Sequence, residues 1–391
     1  MIYSIKAIDK FFFRSSLPFD MMGETHLLAS HFPPYPSTYA GAFKVLGNNP
    51  KRMRISYNGV ALSEGNDITY CFPQPLDTVI LPDKKLEENI PIELEKMQLV
   101  NASYSNTPLV TYLTPKSDEK KKPESYVYLN QAELEKYLSD VERVDGFSLK
   151  NYFSEEMKIG IGIDSSTDTT EEGKLYQIKM LRPHPQLQLA VEVKGIEAEN
   201  GHVRLGGEGK VAQIKSVASE LTIAAPVLNE KSRYFKLYFA TPAIFKWGWR
   251  PSWIEENMTG SFPFKQNKTK QKKIEFKLLS ATVGKYESVG GFDPIKKQPK
   301  ELRYAVPAGS VYYFEILGDS TIEDVKKMFH QKCLSDYREG EDLIYNEPYG
   351  FSRPKKIFDR IVYCDRGFGY ALVGAVNKEQ EKVLKCLKTK N

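Results

Sequence analysis

The chain has 391 residues, of which 41% are hydrophobic and 27% charged, so it can bury the cores of two or three globular domains. Its net charge of +5 permits an RNA partner without requiring one. The cysteines form no C-x-x-C pair, which argues against a disulfide framework and a structural zinc site; they are Cys71, Cys333, Cys364 and Cys386. No stretch approaches the ~20 apolar residues that span a bilayer, and the opening MIYSIKAIDK does not have the pattern of a signal peptide. We therefore predict a cytoplasmic protein.

The first half of the chain predicts strands with two helices. Tyr3, Ile5 and Ala7 alternate with polar residues, which is typical of a half-buried opening strand. After a Pro-rich loop, Ser37 or Thr38 can cap a helix that ends at Gly47. A second helix is predicted over residues 130–142, with these residues on one face: Leu134, Tyr137, Leu138 and Val141. The lysine-rich KSDEKKKPE, residues 116–124, predicts a mobile surface loop.

The second half begins near residue 158 with short runs rich in β-branched and aromatic residues. A second lysine-rich tract, KQNKTKQKK at residues 265–273, is also predicted to be mobile. S-T-I-E from Ser320 to Glu323 matches a capping box, and the helix after it carries Ile322, Val325, Phe329 and Cys333. The segment 357–376 predicts a strand, a glycine turn and a final strand, followed by a helix over 378–388.

Helices do not alternate regularly with strands along the chain, so a doubly wound parallel sheet is disfavoured. We predict an α+β fold with two similar domains and long inserted loops. Residues 1–150 form the first predicted domain and residues 151–391 the second.

The sequence contains no complete catalytic constellation. It lacks a G-x-S-x-G elbow, a phosphate-binding G-x-x-x-x-G-K-[ST] loop and an H-E-x-x-H pair. His26 and His31 are five residues apart, which suits no helical metal pair, and His184 lies between prolines. His330 and Cys333 would share a helix, but no further ligand lies near them in sequence. We therefore predict no enzymatic activity, no metal and no cofactor.

Two features favour nucleic-acid binding. Glycine clusters occur at residues 160–162, 205–210, 288–293 and 366–374, and glycine allows backbone N–H groups to approach a phosphate. Tight turns use the same residues. All three tryptophans fall within residues 247–253, where Lys246 and Arg250 interleave with them. An indole can stack on a base while a cation holds the adjacent phosphate, although a packed corner would give the same pattern.

These segments occur in an order that resembles a known family. TYAGAFK, EEGKLY, LGGEGK, TPAIFKWGWRP, AVPAGSVYYFEILG and RGFGYALVG together resemble the RAMP proteins of CRISPR systems, and most of all the third-subunit family of the type III-B Cmr effector complex. The resemblance covers residues 1 to about 376. It implies two ferredoxin-like domains. It also implies a non-catalytic protein that binds the five-prime handle of the CRISPR RNA and contacts the large Cas-ten-type subunit and a backbone RAMP subunit.

The resemblance leads us to predict a set of RNA-contacting residues. The usual terminal G-x-G of the family is reduced here to Gly374. We expect Arg366 to hold a phosphate while the N–H groups of Gly367 and Gly369 turn outward, and Phe368 either stacks on a base or packs beneath the loop. The complete predicted set is Arg14, Ser37, Thr38, Lys44, Arg204, Lys210, Lys246, Trp247, Arg250, Arg366, Gly367, Phe368 and Gly369. A metal-independent RAMP endoribonuclease and a pure scaffold remain as alternatives.

Overall fold

The computed structural model describes residues 1–14, 27–46, 53–65, 67–81, 91–101, 108–109, 111–116, 124–164, 166–167, 169–218, 220–228, 232–265, 271–293, 298–336 and 363–386. The helices in these ranges are α1 (Pro36–Leu46), α2 (Gln131–Leu138), α3 (Ile322–Phe329) and α4 (Lys378–Cys386). The strands up to residue 164 are β1 (Ile2–Ala7), β2 (Leu27–Ala29), β3 (Arg54–Glu64), β4 (Asp67–Pro73), β5 (Thr78–Ile80), β6 (Ile92–Lys96), β7 (Gln98–Asn101), β8 (Thr111–Thr114), β9 (Val127–Asn130), β10 (Arg143–Ser148) and β11 (Phe153–Asp164). The later strands are β12 (Thr169–Pro183), β13 (Leu187–Lys194), β14 (Gly201–Arg204), β15 (Val211–Val217), β16 (Tyr234–Phe239), β17 (Thr259–Lys265), β18 (Gln271–Thr282), β19 (Glu287–Val289), β20 (Phe292–Asp293), β21 (Gln298–Pro299), β22 (Arg303–Ala305), β23 (Val311–Leu317), β24 (Lys332–Cys333) and β25 (Tyr370–Gly374).

Two large sheets organise the described residues, which confirms a mixed α+β fold. The first sheet has ten strands in the order β14-β15-β1-β13-β3-β4-β9-β10-β6-β5. The second has six strands in the order β17-β18-β23-β16-β25-β24. The change from the first sheet to the second falls between Val217 and Tyr234, whereas the predicted domain boundary follows residue 150. That boundary stays a prediction.

Aromatic side chains fill the core of each sheet. Helix α1 packs against β3, and its Phe43 meets Tyr3 of β1 with ring centroids 5.0 Å apart. In the second sheet, Trp253 lies 5.5 Å from Phe314 of β23 and 5.6 Å from Phe329 of α3, measured between ring centroids. Burying one such side chain contributes about 1.5–3 kcal/mol. These rings therefore hold α1 and α3 against their sheets.

Helix α2 lies between the two sheets. Its Leu138 carbonyl accepts a hydrogen bond of 2.7 Å from the N–H of Ala375, just after β25. Its Tyr137 ring lies 6.0 Å from the ring of Tyr238 in β16. The helix is capped by Asn130, whose Oδ1 accepts from the N–H of Glu133 at 2.9 Å. One short helix thus belongs to both cores.

A buried carboxylate fixes this junction. Asp77 is fully buried. Its Oδ1 accepts from the hydroxyl of Tyr137 at 2.7 Å, and its Oδ2 accepts from the hydroxyl of Tyr313 at 2.6 Å. The Nζ of Lys236 lies 3.8 Å from the same Oδ2. Because Tyr137 belongs to α2, and Tyr313 and Lys236 belong to the second sheet, Asp77 ties the first part of the chain to the second.

Lys236 is the counter-charge in this junction, and it is fully buried. Its Nζ lies 3.7 Å from Oδ1 of Asp140 and 3.6 Å from the ring centroid of Tyr137. Asp140 also forms an ion pair with the buried Lys96. Burial lowers the pKa of Lys236 to about 8, and the charge of Asp77 opposes this shift. The positive charge of the Lys236 ammonium is therefore stabilised by the carboxylates of Asp77 and Asp140.

The helices are close to the predicted positions, with several corrections at their ends. Helix α1 begins with Pro36, whose missing N–H suits the first helical position, so Ser37 and Thr38 lie inside the first turn and do not cap it. The capping box of α3 is formed by Thr321 and Asp324, one residue later than predicted. Val141 is 43% exposed because α2 ends at Leu138.

Further corrections concern the second half. Helix α3 ends at Phe329 and Cys333 lies in β24, so the prediction that His330 and Cys333 share a helix is wrong. Tyr363–Asp365 forms a 3-10 turn where a strand was predicted. The ends of the second lysine-rich tract are strand residues, since Lys265 pairs with Gln271. Residues 117–123, 266–270, 357–362 and 387–391, together with His26 and Gly47, on which other predictions fall, lie outside the described residues.

Among the described residues, no helix has both the length and the apolar character that crossing a membrane requires.

Candidate nucleic-acid interface

The C-terminal glycine loop, residues 363–369, is clamped between the two sheets. The carbonyl of Gly367 accepts from Nδ2 of Asn58 in β3 at 3.1 Å and from Oγ1 of Thr241 after β16 at 2.8 Å. Gly367 has φ +93°, and a Cβ there would lie 2.3 Å from Asn58 Nδ2. Gly369 has φ +75°. Glycine is therefore required at Gly367 both by the backbone conformation and by the close approach of β3.

The side chains of this loop are turned inward. Phe368 is fully buried, and its ring meets that of Tyr363 edge-on at 5.3 Å. Of the two expectations for Phe368, stacking on a base or packing beneath the loop, the structure shows packing. Arg366 is also buried, with its guanidinium carbon 6.0 Å from the Tyr363 ring centroid.

The N–H groups of the glycine loop donate within the chain. The N–H groups of Arg366 and Phe368 both donate to the carbonyl of Tyr363. The N–H of Gly367 donates to the carbonyl of Cys364, and the N–H of Gly369 donates to the carbonyl of Pro242. The expectation that these N–H groups turn outward is therefore wrong, because carbonyls of the turn itself and of Pro242, which follows β16, accept their hydrogen bonds. Contact of the loop with RNA stays a prediction.

An exposed aromatic turn follows β16. Bridges between Phe245 and Gly248 and between Trp247 and Arg250 fold residues 245–250 into a narrow turn, which we call the Trp247 turn. The Trp247 side chain is 49% exposed. Lys246 Nζ lies 4.3 Å from the centre of the indole, and the guanidinium carbon of Arg250 lies 5.6 Å from it. An exposed indole flanked by two cations can stack on a base and hold its phosphate.

The other two tryptophans have structural roles. Trp253 is buried in the second core, and the half-buried Trp249 accepts a hydrogen bond of 2.5 Å from the hydroxyl of Tyr312 on its carbonyl. The two interpretations of the tryptophan cluster therefore apply to different residues. Trp253 forms a packed corner, and Trp247 is presented to solvent.

Asp336 holds the ends of the Trp247 turn, which the sequence analysis did not foresee. Its Oδ2 accepts from the N–H of Lys246 at 3.0 Å and from the N–H of Ser252 at 2.7 Å. Ser335 Oγ accepts from the N–H of Ile244 at 3.1 Å. Burial raises the pKa of Asp336 to about 7, although the two N–H donors act in the opposite direction. No sequence motif marks this carboxylate, because its partners precede it by more than 80 residues.

We expect Asp336→Ala to lower the free energy of unfolding by about 1–3 kcal/mol, since two buried N–H groups lose their acceptor. Asp336→Asn keeps an acceptor and removes the titration. In the folded protein the pKa of Asp336 is raised from 3.8 to about 7, so the native state binds this proton more tightly than the unfolded state does. The free energy of unfolding of the wild type should therefore fall as the pH rises between these two values. Relative to the wild type, the free energy of unfolding of Asp336→Asn should therefore increase from pH 4 to pH 7, as measured by urea denaturation.

The control for this experiment is Asp319→Asn, which changes an exposed aspartate. It should leave the pH dependence of unfolding unchanged. A wild-type and an Asp336→Asn curve that run parallel across this pH range would contradict the role given to Asp336.

The LGGEGK turn approaches the protein's own backbone. The N–H of Gly207 donates to the carbonyl of Phe12 at 2.8 Å, and a Cβ on Gly206 would lie 2.3 Å from the same oxygen. Lys210, one of the predicted RNA contacts, forms an ion pair of 3.2 Å with Asp9. The close approach that glycine permits here is therefore explained by packing.

The remaining predicted RNA contacts lie on other elements. Arg14 is exposed beside Ser30, and Arg204 is exposed at the end of β14. Ser37 and Thr38 lie in the first turn of α1 and Lys44 in its last, all three half-buried. Their contact with RNA stays a prediction.

A cleft at the junction of the two sheets was not predicted either. We call it the junction cleft; its volume is about 380 Å³, and its lining includes His31, Tyr35, Glu124, Tyr126, Tyr128 and Glu287. Asn58 and Thr241, which hold Gly367, also line it. The cleft therefore borders the glycine loop.

Half-buried titratable groups face each other in the junction cleft. The His31 ring stacks on Tyr35 with centroids 4.1 Å apart, and its Nε2 lies 3.8 Å from Oε2 of Glu287. Burial lowers the pKa of His31 to about 4 and raises that of Glu287 to about 7. The sequence position of His31 gave no sign of its approach to Glu287, because the two residues are more than 250 positions apart in the chain. Within the described residues, no group of three His, Cys, Asp or Glu side chains could hold a metal ion.

A family model described as "CRISPR-associated protein (Cas_Cmr3)" matches residues 3–338. Among solved structures, the chain is similar to one in the type III-B Cmr-beta complex bound to cognate target RNA, with 17% identity, a TM-score of 0.39 and coverage of 80% of this chain and 86% of that chain. For a chain in the complex that also holds AMPPnP, the identity is 17% and the TM-score 0.40, and the match covers 80% of this chain and 86% of that chain. For a chain in the apo complex, the identity is 12% and the TM-score 0.24, and the match covers 56% of this chain and 96% of that chain. No curated protein matches.

Proposed function

The chain belongs to the Cas_Cmr3 family of CRISPR-associated proteins, and from this membership we propose that it is a non-catalytic subunit of a cytoplasmic type III-B RNA-guided effector complex. In this proposal it binds the five-prime handle of the CRISPR RNA and bridges the large Cas-ten-type subunit to the backbone subunits in antiviral defence. The family match carries the proposal.

The Trp247 turn supports the RNA-binding part of this proposal. Single-stranded RNA presents unstacked bases, and an indole binds any base through its π-face. Lys246 and Arg250 place two positive charges beside the exposed ring. The stacking surface and the phosphate contacts would thus come from one rigid turn that Asp336 holds in place.

We expect Trp247→Ala to weaken binding of handle RNA by about 1–3 kcal/mol, the usual effect of removing a stacking ring. The slope of log Kd against log salt should not change, because the indole is uncharged. Lys246→Ala should reduce that slope by about one unit. Fluorescence anisotropy with the labelled handle RNA measures both quantities on the chain co-purified with its partner subunits.

The matched control is Tyr112→Ala, which removes another exposed ring, 54% accessible, from β8. It should leave RNA binding unchanged, and Trp247→Phe should retain most of the affinity. Equal loss of binding in the Tyr112 and Trp247 variants would remove the turn from the proposed interface.

Assembly is tested by co-expressing the chain with the large and backbone subunits of its own complex. We expect the subunits to co-purify with CRISPR RNA. Metal-independent, site-specific cleavage of repeat RNA by the purified chain would instead favour a RAMP endoribonuclease, and His31→Ala would show whether the junction cleft is responsible. Failure to co-purify with any of these subunits would contradict the proposal.

We also propose that each large sheet is built on a ferredoxin-like unit. In the first sheet, β15, β1, β13 and β3 are neighbours and all antiparallel. In the second, β25, β16, β23 and β18 repeat this arrangement. Numbered within each unit, both orders are 4-1-3-2. Among the residues that the structure describes, the first unit has only the helix after its opening strand, α1, and the second has only the helix before its closing strand, α3.

A further inference from the structure

The junction cleft lacks positive charge. Its described lining contains two glutamates and one histidine, and none of these lining residues is lysine or arginine. Burial keeps His31 neutral near pH 7, because its pKa is lowered to about 4. The cleft is therefore acidic although the whole chain carries a net charge of +5.

Two carboxylate oxygens of the cleft lack a donor. Oε2 of Glu287 and Oε2 of Glu124 are both closed to water and accept no hydrogen bond from the described residues. A buried acceptor without a donor is costly, and a buried anion without a counter-charge more so. The burial that raises the pKa of Glu287 to about 7 has the same physical origin. An occupant that supplied N–H donors and positive charge would relieve both deficits.

Aromatic rings surround these carboxylates. Tyr35 is stacked with His31 at an interplanar angle of 26°, and Tyr126 and Tyr128 line the same cavity. Rings of this kind favour a planar cation, which is attracted to the π-face and stacks on it. A guanidinium is planar and has five donors in a fixed geometry that matches carboxylates, whereas an ammonium is a compact point charge.

The charges of the cleft also argue against a nucleotide. Its phosphate would lie close to two carboxylates, with no lysine or arginine in the described lining to compensate. An arginine side chain brings charge of the required sign. Arginine is also one of the residues that most often anchor protein interfaces.

We propose that the junction cleft is an anchor pocket for an arginine side chain of a partner protein, with the guanidinium between the tyrosine rings and donating to Glu124 and Glu287. Residues of the first sheet and residues 240–242, which follow β16 of the second sheet, line the pocket, so a partner seated there contacts both parts of the fold. The pocket is separate from the Trp247 turn, and this inference does not rest on RNA binding.

The test titrates the full-length chain with N-acetyl-arginine N-methylamide, measured by calorimetry or by NMR. The neutral isostere, N-acetyl-citrulline N-methylamide, has the same length and shape but no charge. We expect it to bind about tenfold more weakly or worse, since charge-assisted hydrogen bonds to the carboxylates are lost. Guanosine and cytidine are titrated in parallel as probes for a base pocket.

Glu287→Gln and Glu124→Gln should each weaken binding of the arginine probe by about tenfold. Both variants replace a carboxylate that lacks a donor, so they should fold, and their Tm should not fall. The matched control is Glu301→Gln, which changes a glutamate with a 65% exposed side chain. Equal binding of arginine and citrulline, absence of saturable arginine binding, preferential binding of a nucleoside, or full affinity in both Gln variants would each overturn the proposal.

Discussion

Replacing Asp77 by alanine is expected to lower the free energy of unfolding by about 3–5 kcal/mol, the range for breaking a buried charge pair. The hydroxyls of Tyr137 and Tyr313 would lose their common acceptor. Lys236 would keep its buried ammonium but lose one of its two carboxylate neighbours. Because these groups come from α2 and the second sheet, the damage falls on the junction.

Urea denaturation followed by circular dichroism measures this loss. Asp145→Ala provides the matched control, because Asp145 is an exposed aspartate of β10. The control should change stability by no more than about 0.5 kcal/mol. Asp77→Asn keeps an acceptor but removes the charge, so its loss of stability should lie between those of Asp77→Ala and Asp145→Ala. If Asp77→Ala were as stable as the control, the junction would not depend on this carboxylate.

Gly367→Ala is expected to destabilise the chain by about 2–6 kcal/mol, which combines two costs. A non-glycine residue at φ +93° adds about 1–3 kcal/mol of backbone strain. The new Cβ would also lie 2.3 Å from Asn58 Nδ2 and 2.8 Å from Ile55 Cγ2, and overpacking of this kind costs about 1–3 kcal/mol. The glycine loop would have to move away from β3.

Gly209→Ala separates these two costs. Gly209 has φ +63°, and a Cβ there would meet nothing within 4 Å, so only backbone strain is added. We expect a loss of about 1 kcal/mol, at the lower end for a strained position. Thermal unfolding of both variants gives the comparison. A Gly367 variant no less stable than the Gly209 variant would show that the loop does not need its close approach to β3.

The helices could be predicted because their signals are local. Asn130 and the apolar stripe of α2 lie within ten residues, and the capping pair of α3 was displaced by only one position. The sheet partners were out of reach of such patterns. Ile2 pairs with Glu192 in β13 and with Val217 in β15, and no local periodicity records pairings over that distance. A domain boundary inferred from composition could not take account of them.

The candidate site was predicted in part for the same reason. Trp247 and its two cations are neighbours in sequence, so their cluster was visible. Asp336 and Glu287 are brought to the Trp247 turn and the junction cleft only by the tertiary fold. Burial was equally hidden, since an arginine next to glycines gives no sign that its side chain turns inward, as that of Arg366 does.

The position of β1 has a consequence for synthesis on the ribosome. Strand β1 lies between β13 and β15 in the sheet, so it leaves the exit tunnel well before its two neighbours, residues 187–194 and 211–217, have been translated. At roughly 5–20 residues per second, the nascent chain carries this apolar strand unpaired for on the order of 10–40 seconds. Ile2, Tyr3 and Ile5, all buried in the finished fold, remain without their sheet partners throughout this period. The centre of the first sheet therefore closes only once β15 has been translated, around a strand that was made much earlier.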